Sequence, residues 1–261
     1  MTTDLASPTD SPETLHNRAM EALTGGGAET GQPSSITGPG GGGKFTPEGA
    51  VLPWPGNTFI FHIDKASPAY SALCQVQDAL MAQPLASHFT YLPQPSFHMT
   101  VFSGVGGEPL DPDDWPEGVE KGLPLAEVTR IFIERLAGFS APAGLRISLP
   151  HLHAGYSMMV RPEGAEAEER LRRLRAQLRE LTGLSRADHD GYRFHVTLAY
   201  RLRFMTKEQA EEVIRKCAEI LAPHREALSD IRLGPVEFCQ FEDMHAFKPK
   251  ALITDGGLVQ L

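Results

Sequence analysis

Phe97-His98-Met99-Thr100-Val101 is written a second time far downstream as Phe194-His195-Val196-Thr197-Leu198. Each phrase reads as a strand, and because strand side chains alternate sides, the His and the Thr two positions on share a face. With 10 His in 261 residues, chance supplies roughly 0.01 of a copy of the full pattern of Phe, His, any residue, Thr and an aliphatic. Two copies predict one cleft lined by two imidazoles and two hydroxyls.

Working outward from these strands, the spacing predicts alternating elements. Residues 57–63 form an apolar strand interrupted by His62. A helix follows, capped by Ser67 with Pro68 at its first position and with Ala69, Leu73, Val76 and Leu80 inward. Strands are expected at 88–93 and 97–103, then a loop rich in Pro, Gly and Asp at 104–123. A helix buries Leu125, Val128, Phe132 and Leu136, and strands follow at 145–149 and 155–161. The helix at 164–182 points Leu171, Leu174, Leu178 and Leu181 inward, and its arginines read as a solvated face paired with Glu166, Glu168 and Glu169. After the second phrase, in a strand at 193–200, Thr206 and Gln209 form a capping box for a helix that buries Ala210, Val213, Cys217 and Leu221. Strands near 231–240 and 245–248 close the chain. This order predicts an α+β fold of antiparallel sheet with outer helices. No Gly-x-Gly-x-x-Gly follows the first strand, which disfavours a dinucleotide-binding sheet.

Residues 1–43 are rich in Gly, Ser and Pro, a composition that predicts a disordered head, with a short helix over His16–Leu23. The glycine run at 40–43 lacks the Gly-Lys-Ser/Thr ending of a phosphate loop, although Lys44 and Phe45 are placed to anchor the head on the domain at 44–261. Cys74, Cys217 and Cys239 are too scattered for a disulfide framework and read as core fillers. His151-Leu152-His153 and Asp188-His189-Asp190 hold ligand-type residues without a known ligand spacing, so no metal and no cofactor are expected. The polar, acidic start and the lack of a membrane-length apolar run predict a cytoplasmic protein with no membrane partner.

The net charge is −9, unevenly placed. Residues 104–128 carry seven acids against Lys121 alone, whereas Arg193, Arg201 and Arg203 surround the second phrase with no acid among them. A compact phosphorylated ligand suits this pattern better than a long nucleic-acid duplex such as double-stranded DNA. The acidic loop either lids the cleft or hangs in solvent.

A neutral imidazole accepts a proton and an imidazolium donates one near neutral pH, so His98 and His195 on either side of a phosphodiester make an acid/base pair. Thr100 and Thr197 would donate to the phosphate oxygens. Arg193, on the face of His195, is a candidate phosphate contact. Tyr200 lies on the opposite face from Thr197 and reaches a base only if the strand ends or bulges before it.

Two His-x-Thr-aliphatic strands in two halves of one chain resemble the two-histidine (2H) phosphoesterase superfamily. Its members include 2′,3′-cyclic phosphodiesterases and bacterial 2′,5′ RNA ligase-like proteins. The resemblance implies two pseudo-symmetric α+β lobes, each giving one motif strand to a central cleft. It also implies metal-independent cyclic nucleotide phosphodiesterase or RNA-processing chemistry by a hydrolase acting on a small phosphorylated nucleotide or an RNA end, with His98 and His195 as catalytic residues and Thr100 and Thr197 as phosphate binders; a monomer is expected. Lys44-Phe45 to Gly49, with Pro55-Gly56-Asn57-Thr58, looks like a little-characterised branch of that superfamily. The same cleft without turnover would make a sensor of a cyclic or phosphorylated nucleotide. A third reading is an interaction protein whose partner docks on the head. Which His is the acid is left open by the sequence.

Overall fold

The computed structural model describes residues 10–26 and 31–261. Among them are five α-helices: α1 Pro12–Thr24, α2 Pro68–Met81, α3 Leu125–Arg135, α4 Gly164–Thr182 and α5 Lys207–Leu221. The strands in the first half are β1 Gly56–His62, β2 Phe89–Tyr91, β3 His98–Gly106, β4 Arg146–His153 and β5 Ser157–Pro162. The second half adds β6 His195–Thr197, β7 Ala199–Arg201, β8 Ile231–Arg232, β9 Val236–Phe241, β10 Lys248–Thr254 and β11 Gly257–Gln260.

Nine strands form one antiparallel sheet in the order β11-β10-β9-β1-β3-β6-β5-β4-β8, and β2 pairs with β7 in a separate ribbon. Mixed helices and a large antiparallel sheet match the α+β expectation. The two motif strands are direct neighbours at the centre of the sheet, paired at Met99↔Val196. Outward from them the order is β1 then β9 on one side and β5 then β4 on the other. The chain reaches each side by the same route. A helix joins β1 to β3 and another joins β5 to β6, and the strand that follows each motif's own half pairs on the other side: β4 with β5, and β9 with β1.

The helices form as their sequence dictates. Ser67 accepts the Tyr70 N–H at 3.1 Å to cap α2, and Thr206 with Gln209 closes both bonds of the capping box of α5. The inward stripes of α2, α4 and α5 are buried against the sheet in one apolar cluster with Phe59, Phe102, Phe238 and Val196. Burial of each large side chain contributes about 1.5–3 kcal/mol.

Several elements refine the expectations. Within the described part of the head, the helix expected over His16–Leu23 is α1. Ser11 caps α1 at Thr14, Gly25 ends it in the left-handed conformation (φ 88°), and Ala19, Ala22 and Leu23 are buried. Ile36 bridges to Phe45 and is buried with it. A few apolar residues suffice because α5 and the sheet supply the opposing surface, which composition alone does not register. Residues 1–9 and 27–30 of the expected head lie outside the described residues.

The second motif strand stops at Thr197. Buried Gln77 of α2 donates to the carbonyls of both Leu92 (2.8 Å) and Leu198 (2.9 Å), and Leu198 N–H turns to the Tyr156 carbonyl at 2.7 Å. Those bonds take the chain out of the large sheet, and Ala199–Arg201 continues as β7 against β2. The closing strand expected at 231–240 is likewise two elements, β8 and β9, broken around Gly234-Pro235. Beyond it, β10 runs over 248–254 rather than 245–248, and β11 adds a final hairpin.

Candidate active site

The Met99↔Val196 pair fixes how the two motifs meet. Carried one residue either way, the antiparallel register sets His98 opposite Thr197 and Thr100 opposite His195, all four on one face, while Met99 and Val196 are fully buried on the other. Side chains directly opposite across such a ladder have Cβ atoms about 4.5–5.5 Å apart. Each His thus stands beside the other motif's Thr. All four line a single cavity of about 800 Å³.

The two histidines are held identically. His98 Nδ1 bonds to the Ser96 carbonyl at 2.6 Å, and His195 Nδ1 bonds to the Arg193 carbonyl at 2.8 Å. A carbonyl only accepts, so each ring carries its proton on Nδ1 and leaves Nε2 as its exchangeable position. Burial pushes the His98 imidazole down to about 4; the Ser96 carbonyl raises it, His62 and His195 lower it, and Glu237 raises it. Burial also lowers His195, the Arg193 carbonyl raises it, Lys44 lowers it and Asp188 raises it. Burial thus favours the neutral form of both rings, and an anionic phosphate beside them would favour their protonated forms.

The other predicted residues divide. Tyr200 lines the cavity. The strand does end before it, and its ring lies 4.9 Å from Phe45 with its hydroxyl on Met244 Sδ at 3.5 Å. Arg193 is not at the cavity: its guanidinium points away, 4.0 Å from Asp10 of the head, into a separate surface depression. Its contribution to the site is the backbone carbonyl that orients His195. Of the metal-type motifs, the His151 and His153 rings are 6.1 Å apart and join no ligand group. Among the described residues the one group of close donors is His62, Glu237 and Cys239, within 4.8 Å of one another. There His62 and Glu237 hydrogen-bond to each other, and burial holds Cys239 as a thiol. This group reads as a bonded dyad beside a core cysteine, not a ligand set.

Sequence reasoning passed over several cavity residues. Lys44 hangs its ammonium over the rings of Trp54 (5.3 Å) and Tyr200 (5.6 Å), while its backbone N–H holds the head at the Ser35 carbonyl (2.7 Å). Tyr192 bonds to Thr100, and burial pushes its phenol up to about 12, so it remains a donor. Arg175 corrects the solvated-face reading of α4. It is 2% exposed, donates to the Val101 carbonyl and stacks its guanidinium 3.9 Å from the Tyr192 ring centroid. The signal was present, since Arg175 falls four residues after Leu171 and three before Leu178, on the buried stripe. Phe247 covers His98 with ring centroids 4.2 Å apart.

The acidic loop borders the cavity at one end, while Glu108, Asp113, Glu117 and Glu120 are exposed. Asp111 and Asp114 line the cavity, and Arg186 grips both Asp114 and the Gly104 carbonyl. Gln32–Ser35 of the head form part of the wall. Two segments that composition sets apart from the domain therefore contribute to the rim of its cleft.

Residues 44–157 match a family model described as 2H-phosphodiest, a domain of unknown function (DUF1868). This supports the two-histidine family. The match includes His98 and Thr100 and ends before His195. It points to a phosphoesterase without naming a substrate or a branch. Among solved structures, the conserved protein of unknown function ATU0111 from Agrobacterium tumefaciens str. C58 superposes with a TM-score of 0.80 at 28% identity, over 92% of this chain and 98% of that one. The whole fold is therefore shared, including the second motif half. No curated protein matches the chain. Among the described residues no helix is long and apolar enough to cross a membrane.

Proposed function

We propose that the chain is a metal-independent phosphodiester hydrolase that opens 2′,3′-cyclic nucleotides or cyclic RNA ends by two-histidine acid/base catalysis. The observation that carries this reading is the crossed square of His98, Thr197, His195 and Thr100, in which both imidazoles have Nδ1 tied to a carbonyl and Nε2 left for substrate. One Nε2 takes a proton from the attacking water, the water oxygen bonds to phosphorus, and the other Nε2–H protonates the departing ribose oxygen. Thr197 and the outer hydroxyl of the bonded Thr100–Tyr192 pair donate to the non-bridging oxygens, and Lys44 adds positive charge. Tyr200 and Trp54 give a nucleobase a surface to stack on.

The cavity volume suits a ligand of one or two nucleotides. The wall of Asp111 and Asp114 disfavours the backbone of a long nucleic acid. In this reading the sheet consists of two related lobes meeting between β3 and β6, the helix-joined pairs β1/β3 and β5/β6 being their equivalent parts.

The test is incubation of the pure protein, in chelator, with 2′,3′-cyclic nucleotides of each base and with short RNAs ending in a cyclic phosphate. Release of a 2′- or 3′-phosphomonoester is expected. Tight binding without product across the panel would replace the hydrolase with a sensor. Activity that requires an added divalent metal would remove the metal-free mechanism.

A further inference from the structure

The two motifs match in sequence, in register and in the bond that holds each imidazole, but their flanks differ. On the outer side of His98 its direct register partner on β1 is His62; on the outer side of His195 the direct partner on β5 is Met159. The His62 ring meets the His98 ring nearly edge-on, with centroids 6.0 Å apart and planes at 69°. It is fixed there by Glu237 of β9, which takes the His62 ring Nδ1–H at 2.8 Å and the His62 backbone N–H at 3.3 Å. The side chains of His62 and Glu237 are 21% and 16% exposed, so the dyad is largely shielded from water.

We propose that His62, held by Glu237, is a positioning residue that keeps the resting His98 free of a proton on Nε2, which makes His98 the general base and His195 the general acid. The inference rests on the hydrolase reading above for the two roles, but not for the contact between the rings.

The physical argument is an asymmetry of charge. The titratable groups that face His98 are His62 from β1, Glu237 from β9 and His195 from β6; Phe247, from the connection before β10, is apolar. Glu237 uses both carboxylate oxygens on His62, one on the ring and one on the backbone N–H, so it is engaged with that residue rather than with His98. A proton arriving on His98 therefore meets the edge of a second imidazole instead of a carboxylate, in a water-poor site where screening is weak. Burial and His62 act together to lower His98, and the opposing pull of Glu237 is the smallest of its influences.

Around His195 the balance differs. Met159 carries no charge, and Lys44 and Asp188 act with opposite signs. When an anionic phosphate enters, the proton it attracts is accommodated more readily on His195. In the reaction His98 Nε2 removes a proton from water as the new P–O bond forms, and His195 gives its Nε2 proton to the ribose oxygen as the old P–O bond breaks. The pair ends with its protonation exchanged, and proton transfer through solvent restores it.

The experiment is an NMR titration of the histidine rings in the full-length, ligand-free protein, with the His98 signal identified by its loss in His98→Gln. His62→Gln removes the second imidazole, which lowers His98, and leaves Glu237, which raises it. The expected result is a rise of the His98 midpoint by about one pH unit. The acidic limb of the kcat/KM profile should move to higher pH by the same amount, with the basic limb unmoved. His62→Phe keeps a ring in the gap and is expected to do the same, which covers the case in which the Gln variant folds poorly. A His98 midpoint that stays within ~0.3 unit or falls in both variants overturns the proposal, as does a shift of the basic limb instead. If the titration shifts while the wild-type protein turns over no cyclic phosphate, the ring coupling stands and the hydrolase reading is what has failed.

Discussion

The strand carrying His98 and the strand carrying His195 lie side by side, yet they have different lengths and different surroundings. β3 runs nine residues into the core and is flanked by β1, so its histidine has a second histidine and a glutamate behind it. β6 is three residues long, because Gln77 pulls the chain out at Leu198, and the released segment turns Tyr200 toward the cavity. One motif is thus backed by titratable side chains and the other opens onto the cavity. In the proposed mechanism the repeated phrase supplies the acid/base pair, and the residues that differ around it divide the roles.

Removing the groups the two motifs share should have the largest effect. His98→Ala and His195→Ala are each expected to lower kcat on a cyclic phosphate by roughly 10²- to 10⁴-fold while leaving the thermal midpoint near that of the wild type, since both side chains border the cavity. The double variant should lose little beyond either single one, because an acid without its base does not complete the transfer. Rate data under saturating substrate, read beside circular-dichroism melts, decide this; additive losses in the double variant would mean that the histidines do not act on one phosphate.

The threonines come next. Thr100→Val and Thr197→Val each delete one donor to a charged oxygen, worth about 1.5–3 kcal/mol, or roughly 10- to 100-fold in rate. The comparison predicts unequal losses. Thr100 is bonded to Tyr192, which Arg175 braces from behind, so its removal also frees the phenol from the bond that orients it. Thr197 stands at the free end of β6 without that support. The larger loss is therefore expected for Thr100→Val, and equal losses would show that Tyr192 adds nothing to phosphate binding.

Much of this was readable in the chain because it is local. Helix stripes, the Ser67 cap, the Thr206–Gln209 box and the His-x-Thr faces all depend on residues a few positions apart. What was not readable depends on distant partners. Glu237 meets His62 across 175 positions, and Gln77 reaches Leu198 across 121. His62 left a faint trace as a lone polar residue in an apolar strand. Arg175 left a clearer one on the buried stripe of α4, hidden by the habit of assigning arginine to solvent. The head left little trace of its packing: its composition is poor in apolar residues, yet Leu23 joins the main apolar cluster and Ile36 a second one with Phe45 and with Leu92 and Leu202, which lie far from it in sequence. Arg193 shares its strand face with His195, yet Asp10, far away in sequence, draws its side chain elsewhere.

The smallest expected effect tests the asymmetry from the other side. Met159→His would place on β5 the kind of residue that β1 already places beside His98. The new imidazole would stand in register with His195, but without a counterpart of Glu237 to favour its charged form; the residue paired with Met159 on β4 is His151, itself lowered by burial and by Arg225. The added ring should therefore remain mostly neutral and lower His195 by only a few tenths of a pH unit. If His195 is the acid, activity requires its protonated form, so lowering it moves the basic limb of the kcat/KM profile to lower pH and leaves the acidic limb in place. Burying a polar ring where Met159 is fully enclosed should also cost about 1–3 kcal/mol of stability, readable as a lower urea midpoint. A shift of the acidic limb instead would exchange the roles of the two histidines while leaving their shared cleft intact.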